Sequence, residues 1–353
     1  MNIQSLRRLF AGLITVLAAP VVSLFPREVT LRLLERNVAR RQGRDALADL
    51  PDGLHVLLCG AGGPLTDVKR SGPCMAVQAG THLYIIDAGT NGARNLGRFA
   101  VNVGRVEAVL LTHAHSDHID GLGELGILRW VGSGSDRPLP VHGPPVVGDV
   151  VAGFNQAYRA DFGYRTAHHG SDIVPPSGGG LDAAPFPLPA DAELHTVLET
   201  DDGVRVSAFS VSHAPVCEAV GYRIDYRGRS IVVSGDTTYS PNLIRHARGV
   251  DLLVHEALAT TLTERLAVAV ESVGNRRTAK VLRDVPSYHT TPVQAAQAAA
   301  ESGATQMLLY HIVPPLPTSA LERVFLHGVA DVYDGKVTLG QDGTLISLPV
   351  EQR

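Results

Sequence analysis

The stretch Leu110-Leu-Thr-His-Ala-His-Ser-Asp-His-Ile-Asp-Gly121 constrains this chain more than any other. An apolar run, Val106 to Leu111, ends in three histidines and an aspartate: His113, His115, Asp117 and His118. Imidazole and carboxylate are the side chains that suit zinc and similar transition ions. Alternating His113 and His115 point towards one ion, while Asp117 and His118, one step further on, reach towards a second. Four potential ligands directly behind a buried-strand pattern are more than a polar loop needs, so the remaining ligands should lie elsewhere in the chain.

Further candidates do recur at the ends of strand-like runs. Val204 to Ser212 alternates and leads to His213, and the β-branched run Ser230 to Ser234 leads to Gly235-Asp236. Asp251 to Val254 leads to His255-Glu256, and Met307 to Tyr310 leads to His311. Each alone would pass for an ordinary loop histidine or turn aspartate. Five runs delivering such residues at their C-terminal ends predict convergence along one sheet edge, where open α/β sheets gather their ligands.

Between these runs, Leu54 to Cys59 reads as a buried strand running into the turn Gly60-Ala-Gly-Gly-Pro64. That cluster is weak as a phosphate cradle, since no helix follows it directly. Cys74 to Gln78 and His82 to Ile86 read as a hairpin, and Asp87 at its end is placed to orient a metal ligand. Asp120 to Trp130 reads as a helix, and Pro138 to Pro145 as a short strand and turn with His142. Residues 154 to 200 read as a loop-rich insertion of the kind that shapes substrate access; His168 and His169 within it read as surface residues. Thr263 to Asp284 reads as one long helix. Pro292 to Ser302 reads as another, N-capped by Thr291, ended by Gly303 and preceded by His289. A short helix around Ala320 to Leu326 and a final hairpin turning at Asp342-Gly343 complete the chain.

Composition narrows the choices. An apolar share of 44% with 36 glycines suits a globular α/β protein with many tight turns. A formal charge of −4 carries no whole-chain nucleic-acid footprint. Cys59, Cys74 and Cys217 lack metal-type spacing and imply no disulfide framework; Cys59 and Cys74 read as small buried hydrophobes. The N-terminus stands apart. Leu9 to Phe25 is uncharged and mostly apolar, preceded by Arg7 and Arg8 and interrupted by Pro20, with no clear small-x-small cleavage site before Phe25-Pro26-Arg27. Arg27, Arg32, Arg36, Arg40, Arg41 and Arg44, interleaved with Leu31, Leu33, Leu34 and Val38, read as a basic, roughly amphipathic helix suited to an anionic membrane surface. Residues 1–50 are therefore expected to be a membrane anchor, or an exported signal if cleaved, plus that helix; residues 51–353 form the functional domain. Basic residues flank both sides of the apolar run, which leaves its orientation open.

His113-x-His115-x-Asp117-His118, then His213, Asp236 and His311, in that order, resemble the metallo-β-lactamase fold superfamily over about residues 54 to 348. Within it the chain is similar to the ribonuclease Z branch and its arylsulfatase-like relatives. The stretches that carry this are Cys59-Gly-Ala-Gly-Gly-Pro64 with Arg70, Ile86-Asp87-Ala-Gly89, Ser234-Gly-Asp-Thr237, and His255-Glu256-Ala257 with His289-Thr290. The resemblance implies a four-layer αββα sandwich and a site for two divalent metal ions, Zn2+ first and Mn or Fe as alternatives. His113, His115 and His213 would hold one ion, Asp117, His118 and His311 the other, and Asp236 would bridge them. A metal-bound hydroxide would be the nucleophile. Asp117, Glu256 and His289 are the catalytic candidates, with His289 protonating the leaving oxygen and Glu256 orienting it. His255 is expected to pack beside the site rather than ligate.

The reaction implied is hydrolysis of a phosphodiester or sulfate ester of small or medium size. Cleavage of an acyl bond (lactone, thioester or β-lactam) is the alternative, an iron-dependent oxidoreductase a more distant one, and a scaffold with decayed catalysis the last. RNA stays open as a partner, and so does a homodimer. The membrane-directed N-terminus and the few lysines or arginines in 154 to 200 weigh against transfer-RNA processing, because a large duplex ligand needs many phosphate contacts.

Overall fold

The computed structural model describes residues 27–42 and 44–351. The apolar run Leu9 to Phe25 lies outside the described residues. Arg27–Gln42 is a helix whose residues 27 to 40 are all exposed, and it belongs to a unit that ends at Asp45, separate from the domain that starts at Ala46. No helix among the described residues is long and apolar enough to cross a membrane.

The domain is built from β1 (Gly53–Gly60), β2 (Cys74–Ala79), β3 (His82–Ala88), β4 (Val106–Leu110), β5 (Leu139–Gly143) and β6 (Leu181–Pro185), followed by β7 (His195–Glu199), β8 (Val204–Ser210), β9 (Val220–Tyr226), β10 (Arg229–Val233), β11 (Leu252–Leu258), β12 (Gln306–Val313), β13 (Lys336–Leu339) and β14 (Leu345–Pro349). They form two mixed seven-stranded sheets, in the orders β14-β1-β2-β3-β4-β5-β6 and β13-β12-β11-β10-β9-β8-β7. Alternation along the strands puts one face of each sheet into a shared core, where Val56, Leu58, Val77, Ile86 and Leu110 meet Val206, Ile224, Ile231, Val254 and Leu308. The outer face of the first sheet is covered by Leu96, Leu122, Leu125, Val147 and Val151 from three helices. Leu243 and the alanines of Pro292–Ser302 cover the second sheet. This is the αββα sandwich that the sequence resemblance implies.

Four local expectations are corrected. The Asp342-Gly343 turn does not close a hairpin: β13 pairs parallel with β12 in one sheet, and β14 pairs antiparallel with β1 in the other. The chain crosses between sheets there, with Gly343 at φ +88° and the Asp342 carboxylate accepting the backbone N–H of Ala61 and Ser71. Residues 154 to 200 are less irregular than they read, because Val147–His169 is a helix of 23 residues. Its apolar stripe Val147, Val151, Phe154, Tyr158 and Phe162 has helical spacing that the interspersed glycines mask. The long helix expected from Thr263 to Asp284 is two, Thr260–Ser272 and Arg276–Asp284, broken where Gly274 takes φ +87° and Asn275 caps the second.

The fourth correction concerns the cysteines. Cys59 and Cys74 are joined in a buried disulfide, with Cα atoms 5.0 Å apart. A register shift between Leu58 and Gly60 in the β1–β2 ladder brings the end of β1 against the start of β2, a proximity that sequence spacing does not report. The bond closes a loop whose ends are 15 residues apart, for which chain entropy predicts about 3 kcal/mol of stabilisation. A Cys59→Ala/Cys74→Ala variant is expected to lose that amount in urea unfolding; an unchanged midpoint would mean the bond contributes nothing.

Candidate metal centre and active site

The residues at the strand ends do converge. One group brings His113, His115, His213 and Asp236 together, another Asp117, His118 and His311, with the ligand-type atoms of each group lying within 4.8 Å of one another. Asp236 sits between them. Its Oδ2 lies 3.3 Å from His118 Nε2, 3.4 Å from His311 Nε2, and 3.8 Å from the Nε2 atoms of His113 and His213. His311 Nε2 is also 3.4 Å from Asp117 Oδ2.

Local backbone explains how each ligand is aimed. His113 and His115 follow β4 in an extended segment, and Ser116–Ile119 then turns as a short helix, so Asp117 and His118 project from a different surface. His213 follows β8 and Asp236 follows β10, as their runs predict. His255, Glu256 and His311 lie inside their strands rather than beyond them, because β11 and β12 run on further than their apolar cores. A bulge makes this workable. Glu256 pairs with Tyr310 and Ala257 with Ile312, so His311 is the extra residue, at φ +46°, turned out of the ladder towards Asp236.

A second layer of hydrogen bonds sets the tautomers. His118 Nδ1 donates to Asp87 Oδ2 at 2.8 Å, which leaves Nε2 to face the site. His113 Nδ1 reaches Thr112 Oγ1 at 3.0 Å, and that hydroxyl donates onward to Asp87 at 2.9 Å. His213 Nδ1 donates to the Tyr288 carbonyl at 2.8 Å. Neither the Tyr288 carbonyl nor Thr112 stood out in the sequence, since a backbone oxygen has no residue signature and a lone threonine next to a strand carries none either. Asp87→Ala is expected to weaken metal binding about 10- to 100-fold, measured by competition with a chromophoric chelator; unchanged affinity would make Asp87 a turn-former only.

The electrostatics suit cations. Buried His113 Nε2, His118 Nε2 and Asp236 Oδ1 have no hydrogen-bond partner, although an unpaired buried polar group costs about 1–3 kcal/mol. Burial lowers the pKa of His113, His115 and His213, and neighbouring imidazoles push the same way, which keeps these rings in the neutral form a metal requires. Burial would raise the Asp236 carboxyl, but His311 and His118 beside it hold it well below the usual carboxylate range. For His118 burial would lower the pKa, but the Asp236 and Asp87 carboxylates outweigh it and push the ring well above the usual imidazole range. Orphaned lone pairs, the neutral imidazoles of His113, His115 and His213, and the ionised Asp236 together fit divalent metal ions.

Beside these groups stands a dyad. Glu256 is fully buried, and its Oε1 accepts from His289 Nδ1 at 3.1 Å and from the Thr290 backbone N–H at 2.8 Å. Burial would lower the His289 pKa; the Glu256 charge and hydrogen bond outweigh it and hold the imidazole at about 9. His289 therefore carries its proton at neutral pH, with its ring 5.4 Å from that of His311 and 5.2 Å from that of His213. A capping box at Thr291 and Gln294 fixes the helix that starts three residues later. His255 bonds the Glu256 carbonyl and stays out of the site, while His168 and His169 are exposed at the end of a helix.

The glycine-rich loop also finds its reason. A Cβ on Gly63 would lie 2.9 Å from His311 Cε1, so the loop passes against a candidate ligand. Arg70 turns inward to the Gly340 carbonyl, Asp67 and Glu322. The loop is a wall of the site, and the Arg70 guanidinium is engaged with these partners.

A family model described as "Beta-lactamase superfamily domain" matches residues 82–312. A ribonuclease Z from Mycobacterium avium (strain 104) is 33% identical over 293 residues, covering 82% of this chain and 96% of that one. A ribonuclease Z from Mycolicibacterium gilvum (strain PYR-GCK) is 32% identical over 82% of this chain and 94% of its own. Among solved structures, the short form of human tRNase Z superposes with TM-score 0.59 at 19% identity, over 84% of this chain and 99% of that one. The metallo-beta-lactamase fold protein YhfI from Bacillus subtilis gives 0.58 at 20%, over 84% and 100%.

Proposed function

This chain belongs to the β-lactamase superfamily, in its ribonuclease Z branch, and from that membership and the geometry of its site we propose that it is a dinuclear phosphodiesterase. That it is a metal-dependent hydrolase of phosphodiester bonds follows from the family. The finer reading, two ions sharing Asp236, is carried by one observation: six donor residues in two groups of three around the buried carboxylate of Asp236. His113, His115 and His213 would hold one ion and Asp117, His118 and His311 the other. Imidazole and carboxylate donors without thiolate favour zinc, with manganese or iron as competitors. When bound, such ions supply an activated water and neutralise charge on the phosphoryl oxygens.

The chain's own residues do the rest. Asp87 and the Tyr288 carbonyl hold His118 and His213 in their ligating tautomers. Glu256 keeps His289 protonated, and His289 Nε2–H is the group that gives its proton to the departing oxygen. Phosphodiesters with alkoxide leaving groups need that proton more than aryl sulfates or activated acyl compounds do, which is why the dyad favours the phosphodiester reading. RNA is the phosphodiester that the relatives' name points to.

Purified protein loaded separately with zinc, manganese and iron, and offered bis(4-nitrophenyl) phosphate, an aryl sulfate and a lactone, tests the proposal. The phosphodiester should be turned over best, with activity lost on chelation and restored by a divalent ion. Turnover of the sulfate or lactone alone, or oxygen-dependent activity of an iron-loaded protein, would overturn it.

The site of action is proposed to be at or beyond a membrane rather than in a reducing cytoplasm. Two features support this: the apolar run Leu9 to Phe25 behind Arg7 and Arg8, and the Cys59–Cys74 disulfide, a bond that persists in oxidising compartments. Alkylation and mass spectrometry of protein taken from its native host should find Cys59 and Cys74 blocked to alkylation and Cys217 free; two alkylated cysteines at 59 and 74 would refute it.

A further inference from the structure

A cleft of about 290 Å3 runs from Asp117 past Gly63, Thr66, Ser71, Thr90 and Asp120. That is near the lower end of small-molecule sites, about 300 Å3. Its wall is held on several sides. The disulfide Cys59–Cys74 joins the strands on either side of the loop 61–72. The Asp342 carboxylate accepts from Ala61 N, Ser71 N and Asn95 Nδ2, and Asn95 Nδ2 also donates to the Cys59 carbonyl at 2.7 Å. A loop this firmly tied presents a fixed surface, which is what a subsite needs.

The basic side chains of that wall are paired with carboxylates. The Arg70 side chain is 1% exposed and Asp67 2%, and they pair with each other at 3.4 Å. Lys69 turns to Glu322 at 3.2 Å. Besides the apolar Pro64 and Leu65 and the carboxylate of Asp117, the cleft is lined by the hydroxyl residues Thr66, Thr90, Ser116 and Ser71, whose Oγ accepts from Asn95 Nδ2 at 3.1 Å, by Asn91, and by Asp120, whose carboxylate accepts from Thr90 Oγ1 at 3.2 Å. Among the described lining residues Arg70 is the one cation, and it faces inward. Residues 154 to 200 add only Arg159 and Arg165, and Arg165 is paired with Asp161 at 2.7 Å.

We infer that this cleft binds the arm of the diester that does not depart past His289, and that it takes an uncharged, hydroxyl-bearing arm of glycerol or monosaccharide size in preference to a polynucleotide strand. The inference rests on the phosphodiesterase reading and narrows its substrate class. A strand of nucleotides brings a negative charge at every step and is held by releasing counterions to lysines and arginines; along the described lining it would meet the carboxylates of Asp117 and Asp120 and no outward-facing lysine or arginine. A polyol meets donors and acceptors matched to its own hydroxyl groups.

The test uses the metal-loaded full chain and three 4-nitrophenyl phosphodiesters with the same leaving group. Their second arms are methyl, glyceryl, and the 5′ end of a decathymidylate. The glyceryl ester should exceed both others in kcat/KM by about tenfold or more, and its KM should change little between about 50 and 200 mM salt. Thr66→Trp, which fills the cleft from an exposed position, should reduce the glyceryl-to-methyl ratio about tenfold. Equal rates for glyceryl and methyl esters would overturn the inference, as would preference for the oligonucleotide or a tRNA precursor with steep salt dependence. If no ester turns over with any metal, the functional proposal falls instead. Calorimetry with glyceryl methylphosphonate against methyl methylphosphonate then still decides the cleft: tighter glyceryl binding, lost in Thr66→Trp, supports it, and equal binding overturns it.

Discussion

Asp236→Ala is expected to cost roughly four orders of magnitude in kcat/KM on a phosphodiester, the scale on which removing one member of a unit that acts together is felt. The carboxylate is 2% exposed and lies 3.3–3.8 Å from ring nitrogens of four histidines. Among the described residues, Asp236 is the acid whose carboxylate oxygen lies within 4 Å of ring nitrogens from both ligand groups. Its removal leaves buried imidazoles facing one another without a counter-charge, and the two proposed ions without their common ligand. The variant should hold less than the wild-type complement of metal by elemental analysis while keeping its circular dichroism, because Asp236 sits at the exit of β10 and makes no strand pairing. Near-wild-type turnover would remove this residue from the chemistry and with it the dinuclear proposal.

His289→Ala is expected to act selectively. General-acid catalysis contributes about 10²–10⁴-fold, and a poor leaving group needs the proton most. For a diester with an alkoxide leaving group the full loss should appear; for 4-nitrophenolate, which departs without help, it should shrink to about tenfold or less. Glu256→Gln should follow the same pattern more weakly, since it removes the charge that holds His289 protonated but leaves an oxygen for the Thr290 N–H. The measurement is the slope of log kcat/KM against leaving-group pKa, which steepens in His289→Ala. A uniform loss across the series would recast His289 as a substrate-binding residue.

Several parts of this architecture were legible in advance because their signals are local. The helix Pro292–Ser302 carries its Thr cap, its N1 proline and its terminal glycine in consecutive sequence, and it forms with those limits. The strands β8 and β10 show their alternation or β-branching directly. Other parts were misread for a common reason. The disulfide and the parting of β13 from β14 both depend on which strand lies beside which, and residues 15 to about 280 positions apart in the chain carry no mark of their adjacency. Similarly, the 23-residue helix at Val147 has a genuine apolar stripe, but its glycines obscured it until packing against Trp130 and β6 made it stable.

The opening cluster of His113, His115, Asp117 and His118 shows the same division. Donor type, order and the change of direction after His115 are properties of side chains and of a short segment, so the amino-acid sequence alone determined that a metal-binding hydrolase of this family was in hand. Their grouping belongs to the tertiary structure. Asp236 stands at the junction because β10 ends between the two groups, His311 reaches it because a bulge in β12 turns one residue out of the ladder, and Asp87 selects the tautomer of a ring 31 positions away. Distances of 3–4 Å between residues some 200 positions apart are set by how two sheets pack, and only the folded chain holds that information.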